Sequence, residues 1–180
     1  MQEDILRVLI TEEELQKKVH EIGSRISEDY KDKNLLLVSV LKGSVIFMAD
    51  LMRAITIHAR VDFMAVSSYG AGVKTTGVVK IIKDLDLPLE GYDILMVEDI
   101  LDSGKTLDYL MDTLRQRNPK SIRIATLLNK PDRREVNIKA DYSGFVVPDE
   151  FVVGYGLDYA EKYRNLPFIG VLKPEIYAEN

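Results

Sequence analysis

Ile94, Leu95, Met96 and Val97 form an unbroken apolar run that stops at Glu98-Asp99. A little further on, Leu107, Leu110, Met111 and Leu114 recur at the i, i+3, i+4, i+7 spacing of one helix face. The first pattern suits a strand covered on both faces, as in a parallel sheet. The change of polarity predicts a strand end at Glu98-Asp99 and a helix from Thr106. Asp102-Ser103-Gly104-Lys105-Thr106 is then the turn between them.

Similar alternations fill the rest of the chain. Val8-Leu9-Ile10 is a short apolar run, and Thr11-Glu12-Glu13-Glu14 has the S/T-x-x-E form of a capping box. Leu15, Val19, Ile22 and Ile26 make the buried stripe of the helix that follows, which ends in the polar turn 31–34. The stretch 35–41 reads as a core strand, and Lys42-Gly43-Ser44 leads into a helix carrying Val45, Phe47, Met48, Leu51 and Met52. Strands are expected at 61–66 and 78–82, on either side of a glycine-bearing stretch at 68–77. Another strand is expected at 121–128, after Asn118-Pro119 stops the central helix. From Gly144 to Lys173 the chain is rich in aromatics and turns, and most of those aromatics are expected in the core. Strands alternating with helices predict an α/β fold: a doubly wound, mainly parallel sheet with helices on both faces.

With 180 residues, a single domain spanning 1–180 is expected. Cysteine is absent, which excludes disulfides and thiol chemistry. The N-terminal Met-Gln-Glu-Asp lacks the basic-then-apolar order of a signal peptide, and no apolar run approaches membrane-spanning length. A cytoplasmic protein with no membrane partner is expected. Net charge is −5 with scattered Lys and Arg, which argues against a nucleic-acid footprint. The densest basic stretch, Arg115, Arg117, Lys120 and Arg123, straddles a helix end and reads as a solvated face. His20 and His58 are given no role.

Chemistry concentrates at the turn after the central strand. The first N–H groups of a helix and the positive end of its dipole favour a phosphate there. Gly104 permits close backbone approach, Ser103 and Thr106 add hydroxyl donors, and Lys105 adds charge. An ordinary polar loop with a hydroxyl cap is the alternative, but it would not require paired acids at the strand end. A P-loop is excluded because its first glycine would fall at Asp99. Two carboxylates beside a phosphate turn suit a ribose phosphate with vicinal hydroxyls and a divalent cation. Lys42-Gly43 forms a second strand-to-helix turn, open between the same crevice and plain surface, and Lys130 ends a third strand, where a lysine is usually a surface residue. The 68–77 stretch reads as a mobile lid or as a long hairpin connection.

The run 97–106, Val-Glu-Asp-Ile-Leu-Asp-Ser-Gly-Lys-Thr, resembles the phosphoribosyl pyrophosphate (PRPP) motif of the type I phosphoribosyltransferases, most of all their hypoxanthine-guanine branch. The likeness extends from about Ile10 to Lys173. It implies transfer of phosphoribosyl from PRPP to N9 of hypoxanthine or guanine, giving IMP or GMP and pyrophosphate. It also implies Mg²⁺ held by Glu98, Asp99 and Asp158, a hood from about 1–12 and 144–180, and a homo-oligomer, dimer or tetramer. Glu98, Asp99 and 103–106 would bind the ribose 5-phosphate, and Asp102 would take the proton from N7 of the base. Leu41-Lys42-Gly43 matches the family's pyrophosphate loop, whose peptide before the lysine is typically cis, and Arg164 matches its pyrophosphate-binding arginine. Lys130 would meet the purine's exocyclic oxygen. Phe151 would stack on the base and the Val152 backbone would read its edge, with Asp158 nearby. Ser68 and Tyr69 resemble the leading pair of the family's closing loop. Glu150 departs from a frequent lysine, which leaves the packing around the base open. A PRPP-binding regulator of the same fold, or an enzyme for xanthine or a pyrimidine, are the alternatives.

Overall fold

The computed structural model describes residues 1–68 and 79–178. In chain order the elements are β1 (Ile5–Ile10), α1 (Glu12–Asp29), β2 (Leu35–Leu41), α2 (Val45–Ala54), β3 (Ala59–Ser68) and β4 (Val79–Lys83). They continue with β5 (Asp93–Leu101), α3 (Lys105–Arg115), β6 (Ser121–Asn129), β7 (Tyr142–Val146), β8 (Val152–Val153), β9 (Ile169–Leu172) and the short α4 (Pro174–Tyr177).

Six strands form the main sheet in the order β4-β3-β2-β5-β6-β7. All neighbours are parallel except the edge pair β3/β4, which is antiparallel. Alternate residues of the central strands face opposite sides. Leu35, Leu37, Leu95, Val97 and Leu127 pack under α1 and α2 against Leu15, Ile22, Phe47 and Leu51. Leu36, Val38, Ile94, Met96 and Ile124 pack against Leu107, Leu110, Met111 and Leu114 of α3. Each such buried side chain contributes about 1.5–3 kcal/mol relative to exposure, so both faces must be covered and the strands read as continuous apolar runs. The capping box at Thr11 is formed in full, the threonine accepting from the Glu14 N–H and the Glu14 carboxylate accepting from the Thr11 N–H.

Two expected boundaries move. β5 does not end at Glu98-Asp99 but runs to Leu101, because β6 keeps pairing with it as far as Leu101↔Asn129. What ends at Val97 is its pairing with β2, whose last partner there is Ser39. The change of polarity therefore marks the place where one neighbour departs. α3 begins at Lys105, one residue before the expected start, with Gly104 as its cap. A second, antiparallel sheet, β1-β9-β8, joins the N-terminal strand to the last part of the chain. No helix among the described residues is long and apolar enough to cross a membrane.

Candidate active site

Chain order reverses between β2 and β5: from β2 the chain proceeds outward to β3 and β4, then returns to β5 on the other side. Ligands in open α/β sheets bind at such a switch point, beyond the strands' carboxyl ends. Here the strands part after Val97, and Glu98 and Asp99, both partly buried, follow on β5 at the opening. Burial, then the neighbouring Asp99 charge, holds the Glu98 carboxyl well above the usual range. Burial also pushes Asp99 up to about 6, against the Ile100 N–H, which donates to it at 2.8 Å, and against Arg164. Two hard oxygen donors whose burial disfavours negative charge would gain from a cation.

The turn after β5 borders a cavity of 180 Å³ lined by Glu98, Asp102, Ser103, Gly104 and Thr106 and, on its other side, by apolar residues of β2, β5 and α3 such as Val40, Leu101 and Leu107. Gly104 lies at φ 83°, and a Cβ there would come within 2.6 Å of Ile138 Cγ2. Only glycine fits both the left-handed backbone and the contact. The Lys105 ammonium is ion-paired with Glu135.

The peptide between Leu41 and Lys42 is cis. Gly43, next along, lies so close to Asp99 that a Cβ would sit 2.0 Å from its Oδ2, and the Gly43 carbonyl packs in turn on Gly156. Three segments from distant parts of the chain thus meet at one backbone unit. Around them runs an ionic network. Lys42 donates to Glu161 at 2.9 Å, and Arg164 donates to Glu161 at 3.0 Å and to the Gly156 carbonyl at 2.8 Å. Arg164 also reaches Asp158 at 3.1 Å. Lys42 and then Arg164 hold the Glu161 carboxyl below the usual carboxylate range.

A second cavity, of 490 Å³, is lined by Ile100, Asp102, Lys130, Phe151, Val152 and Asp158 among others. Lys130 is 8% exposed and donates to the Glu150 carbonyl at 2.7 Å. The Phe151 ring, partly exposed, stacks on Tyr177 at 4.9 Å between centroids and meets Tyr159 edge-on at 5.5 Å. Tyr155 and Tyr163, by contrast, are buried. The Glu150 carboxylate pairs with Arg7 of β1. Asp102 accepts from Arg133 Nε at 3.2 Å. Ile100 and Asp102 line both cavities, so the two form one crevice with Asp102 at their junction.

The expected residues Glu98, Asp102, Ser103, Gly104 and Thr106 are thus gathered at one cavity, and Lys130, Phe151, Val152 and Asp158 at the other. Lys42, Gly43, Arg164 and Asp158 meet at the network between β2 and the 154–164 segment, while Lys105 is engaged by Glu135. Ser68 ends β3, and the expectation for Tyr69 and the rest of 69–78 lies outside the described residues. Sequence reasoning missed Glu161 and also Arg134, whose guanidinium is wound into the turn after β5. Neither carries a periodic signal, since both are charged residues in turns.

The donor set fits Mg²⁺. That ion binds hard oxygens, typically one or two carboxylates completed by substrate oxygens and water. Among the described residues no group of three or more acidic or histidine side chains forms a metal site by itself. Glu98 lines the first cavity, and the Asp99 carboxylate lies against the Gly43 turn.

Comparison with known proteins agrees with this geometry. A family model described as phosphoribosyl transferase domain matches residues 10–160. A hypoxanthine-guanine phosphoribosyltransferase of Bacillus subtilis is 59% identical, with 98% of each chain covered. The bifunctional protein TilS/HprT of Listeria monocytogenes is 57% identical over 99% of this chain, which spans 28% of that relative's length. A crystal structure of a hypoxanthine phosphoribosyltransferase from Staphylococcus aureus superposes with a TM-score of 0.96 at 51% identity, covering 98% of this chain and 96% of that one. The chain belongs to the phosphoribosyltransferase family, in its hypoxanthine-guanine phosphoribosyltransferase branch.

Proposed function

We propose that the chain salvages purines by transferring the phosphoribosyl group of PRPP to N9 of hypoxanthine or guanine, releasing pyrophosphate. The observation that carries this reading is the shared wall. A smaller cavity at a helix N-terminus and a larger one bordered by Lys130 and Phe151 meet at Ile100 and Asp102, so C1 of a ribose held in the first would face a base held in the second.

Each group then has work to do. Ser103, Thr106 and the first N–H groups of α3 bind the 5-phosphate, and Gly104 lets the backbone close on it. Glu98 and Asp99 orient the ribose hydroxyls. As the C1–O bond breaks, charge accumulates on the departing pyrophosphate, and Lys42 and Arg164 neutralise it on exchanging Glu161 for the leaving group. Mg²⁺, held by Glu98, Asp99 and Asp158 together with substrate oxygens, would supply further charge stabilisation when bound. Lys130 is a donor without acceptor capacity, so it suits a 6-oxo group and not a 6-amino group. Phe151 offers a stacking face, and Asp102 takes the N7 proton as the N9 bond forms.

By the same reading the β1-β9-β8 sheet is the hood that carries the base pocket, the protein acts in the cytoplasm, and it assembles as a dimer or tetramer. Steady-state turnover with PRPP, Mg²⁺ and each purine base tests the proposal. Hypoxanthine and guanine should release pyrophosphate and adenine should not. Release with adenine alone, or with no base at all, would overturn it.

A further inference from the structure

The segment that follows Lys130 contains an arginine with no place in the reaction just described. Arg134 lies behind the turn after β5, partly buried, and four hydrogen bonds engage three of its nitrogens. Nε donates to the Asp102 carbonyl at 2.9 Å. Nη2 donates to the Leu101 carbonyl at 3.1 Å and to Asn129 Oδ1 at 2.6 Å, and Nη1 donates to the Ile138 carbonyl at 2.8 Å. The two loop acceptors are consecutive carbonyls, those of the last residue of β5 and of Asp102 itself. The other two belong to the end of β6 and to the chain behind Gly104.

We infer that Arg134 is a positioning residue for proton transfer: its planar guanidinium fixes the main chain of Leu101 and Asp102, and through it the direction in which the Asp102 carboxylate faces the base. This rests on the phosphoribosyl-transfer reading above. Three features favour this role over a simple ion pair. The acceptors are carbonyl oxygens and an amide oxygen, so what the site uses is the rigid fork of donors more than the charge. Arg133, the adjacent residue, holds the Asp102 carboxylate at 3.2 Å, so main chain and side chain of one aspartate are gripped by consecutive arginines. The phosphate turn also has a support that does not involve Arg134, the Glu135 N–H donating to the Ser103 carbonyl at 3.0 Å. Loosening Arg134 should therefore disturb Asp102 more than phosphate binding.

Arg134→Lys keeps the charge but cannot span four acceptors. The expected result is a fall in kcat of roughly 10- to 100-fold, the scale of a misplacement of about 1 Å, with KM for PRPP within about threefold of wild type. The decisive comparison is made in the Asp102→Asn background. If Arg134 acts through Asp102, adding Arg134→Lys there should lower kcat by less than about threefold, because groups acting as a unit are not additive. The full single-mutant loss appearing again in that background would overturn the inference, as would a rise in KM for PRPP that accounts for the whole effect. Asn129→Ala, which removes one acceptor of the fork without touching the turn, should show the same pattern more weakly should Arg134→Lys fail to fold; wild-type kcat in that variant would count against the role. Absence of transfer by the wild-type enzyme would instead sink the functional reading, an outcome distinct from additivity in an active enzyme.

Discussion

Gly43→Ala perturbs the crevice at the contact between the turn after β2 and the β5 carboxylates. The added Cβ would lie 2.0 Å from Asp99 Oδ2 and 3.1 Å from its Cγ. Ordinary van der Waals contact of a Cβ lies at 3.4–4 Å, so a displacement of more than about 1 Å is required. The turn cannot yield easily, because the Gly43 carbonyl is already packed on Gly156. Asp99 must then swing, and its other oxygen gives up the 2.8 Å hydrogen bond from the Ile100 N–H. A hydrogen bond to a charged group contributes about 1.5–3 kcal/mol. In a protein of this length a loss of ~2 kcal/mol lowers Tm by about 4–8 °C. Activity should suffer more than stability, since a reacting geometry displaced by about 1 Å can lose ~10²-fold. Calorimetry together with kcat/KM for PRPP would measure both effects. Wild-type kcat/KM in a folded Gly43→Ala enzyme would refute the reasoning, by showing that the turn after β2 and the β5 carboxylates work independently.

Three further outcomes follow from the same geometry. Lys130→Gln should raise KM for hypoxanthine by at least about tenfold, the scale of a charged hydrogen bond, and leave KM for PRPP nearly unchanged; equal rises for both would point to a general folding defect. Glu161→Gln removes the carboxylate that pairs with Lys42 and one of the two that pair with Arg164, so the inhibition constant of pyrophosphate should fall by roughly two- to fivefold, and an unchanged or higher constant would count against the exchange of Glu161 for the leaving group. On the surface, Arg117 grips Asp84 through two bonds of 2.8 and 2.9 Å and holds its carboxyl below the usual range. This stabilisation is present above the unfolded value of about 4 and is lost as pH falls through the folded value. Asp84→Asn should accordingly lower Tm by less than about 4 °C at pH 7 and by progressively less below pH ~4, whereas a difference that grew on acidification would contradict the sign.

The central strand and its helix were legible because burial on both faces leaves no choice but an apolar run, and because α3 must show one face to the sheet. The capping box at Thr11 was legible for a similarly local reason: donor and acceptor lie three residues apart. The end of β5 was misread because polarity reports only which neighbours a strand has, and β6 continues where β2 leaves. Residues 98–106 were expected at the crevice from the PRPP motif, and Lys42, Lys130, Phe151, Asp158 and Arg164 from likeness to other segments of the family, because each stands in a turn or strand end whose local sequence is distinctive. Glu161 and Arg134 were not legible. The partners that tie them to the crevice, Lys42 and the Leu101–Asp102 main chain, lie far away in sequence, and a charged residue in a turn looks the same whether it faces water or a site. The antiparallel pairing of β1 with β9 joins the two ends of the chain and likewise leaves no local trace.

The claim on which the account turns is that Asp102, at the junction of the two cavities, takes the proton from the base. Single-turnover formation of IMP by Asp102→Asn, with PRPP affinity measured in parallel, tests it most directly. The amide keeps the shape of the side chain but is a far weaker proton acceptor, so the rate should fall by about 10²–10⁴-fold while PRPP binds as before. A wild-type rate would contradict the account, and would leave Asp102 as a residue that merely shapes the turn.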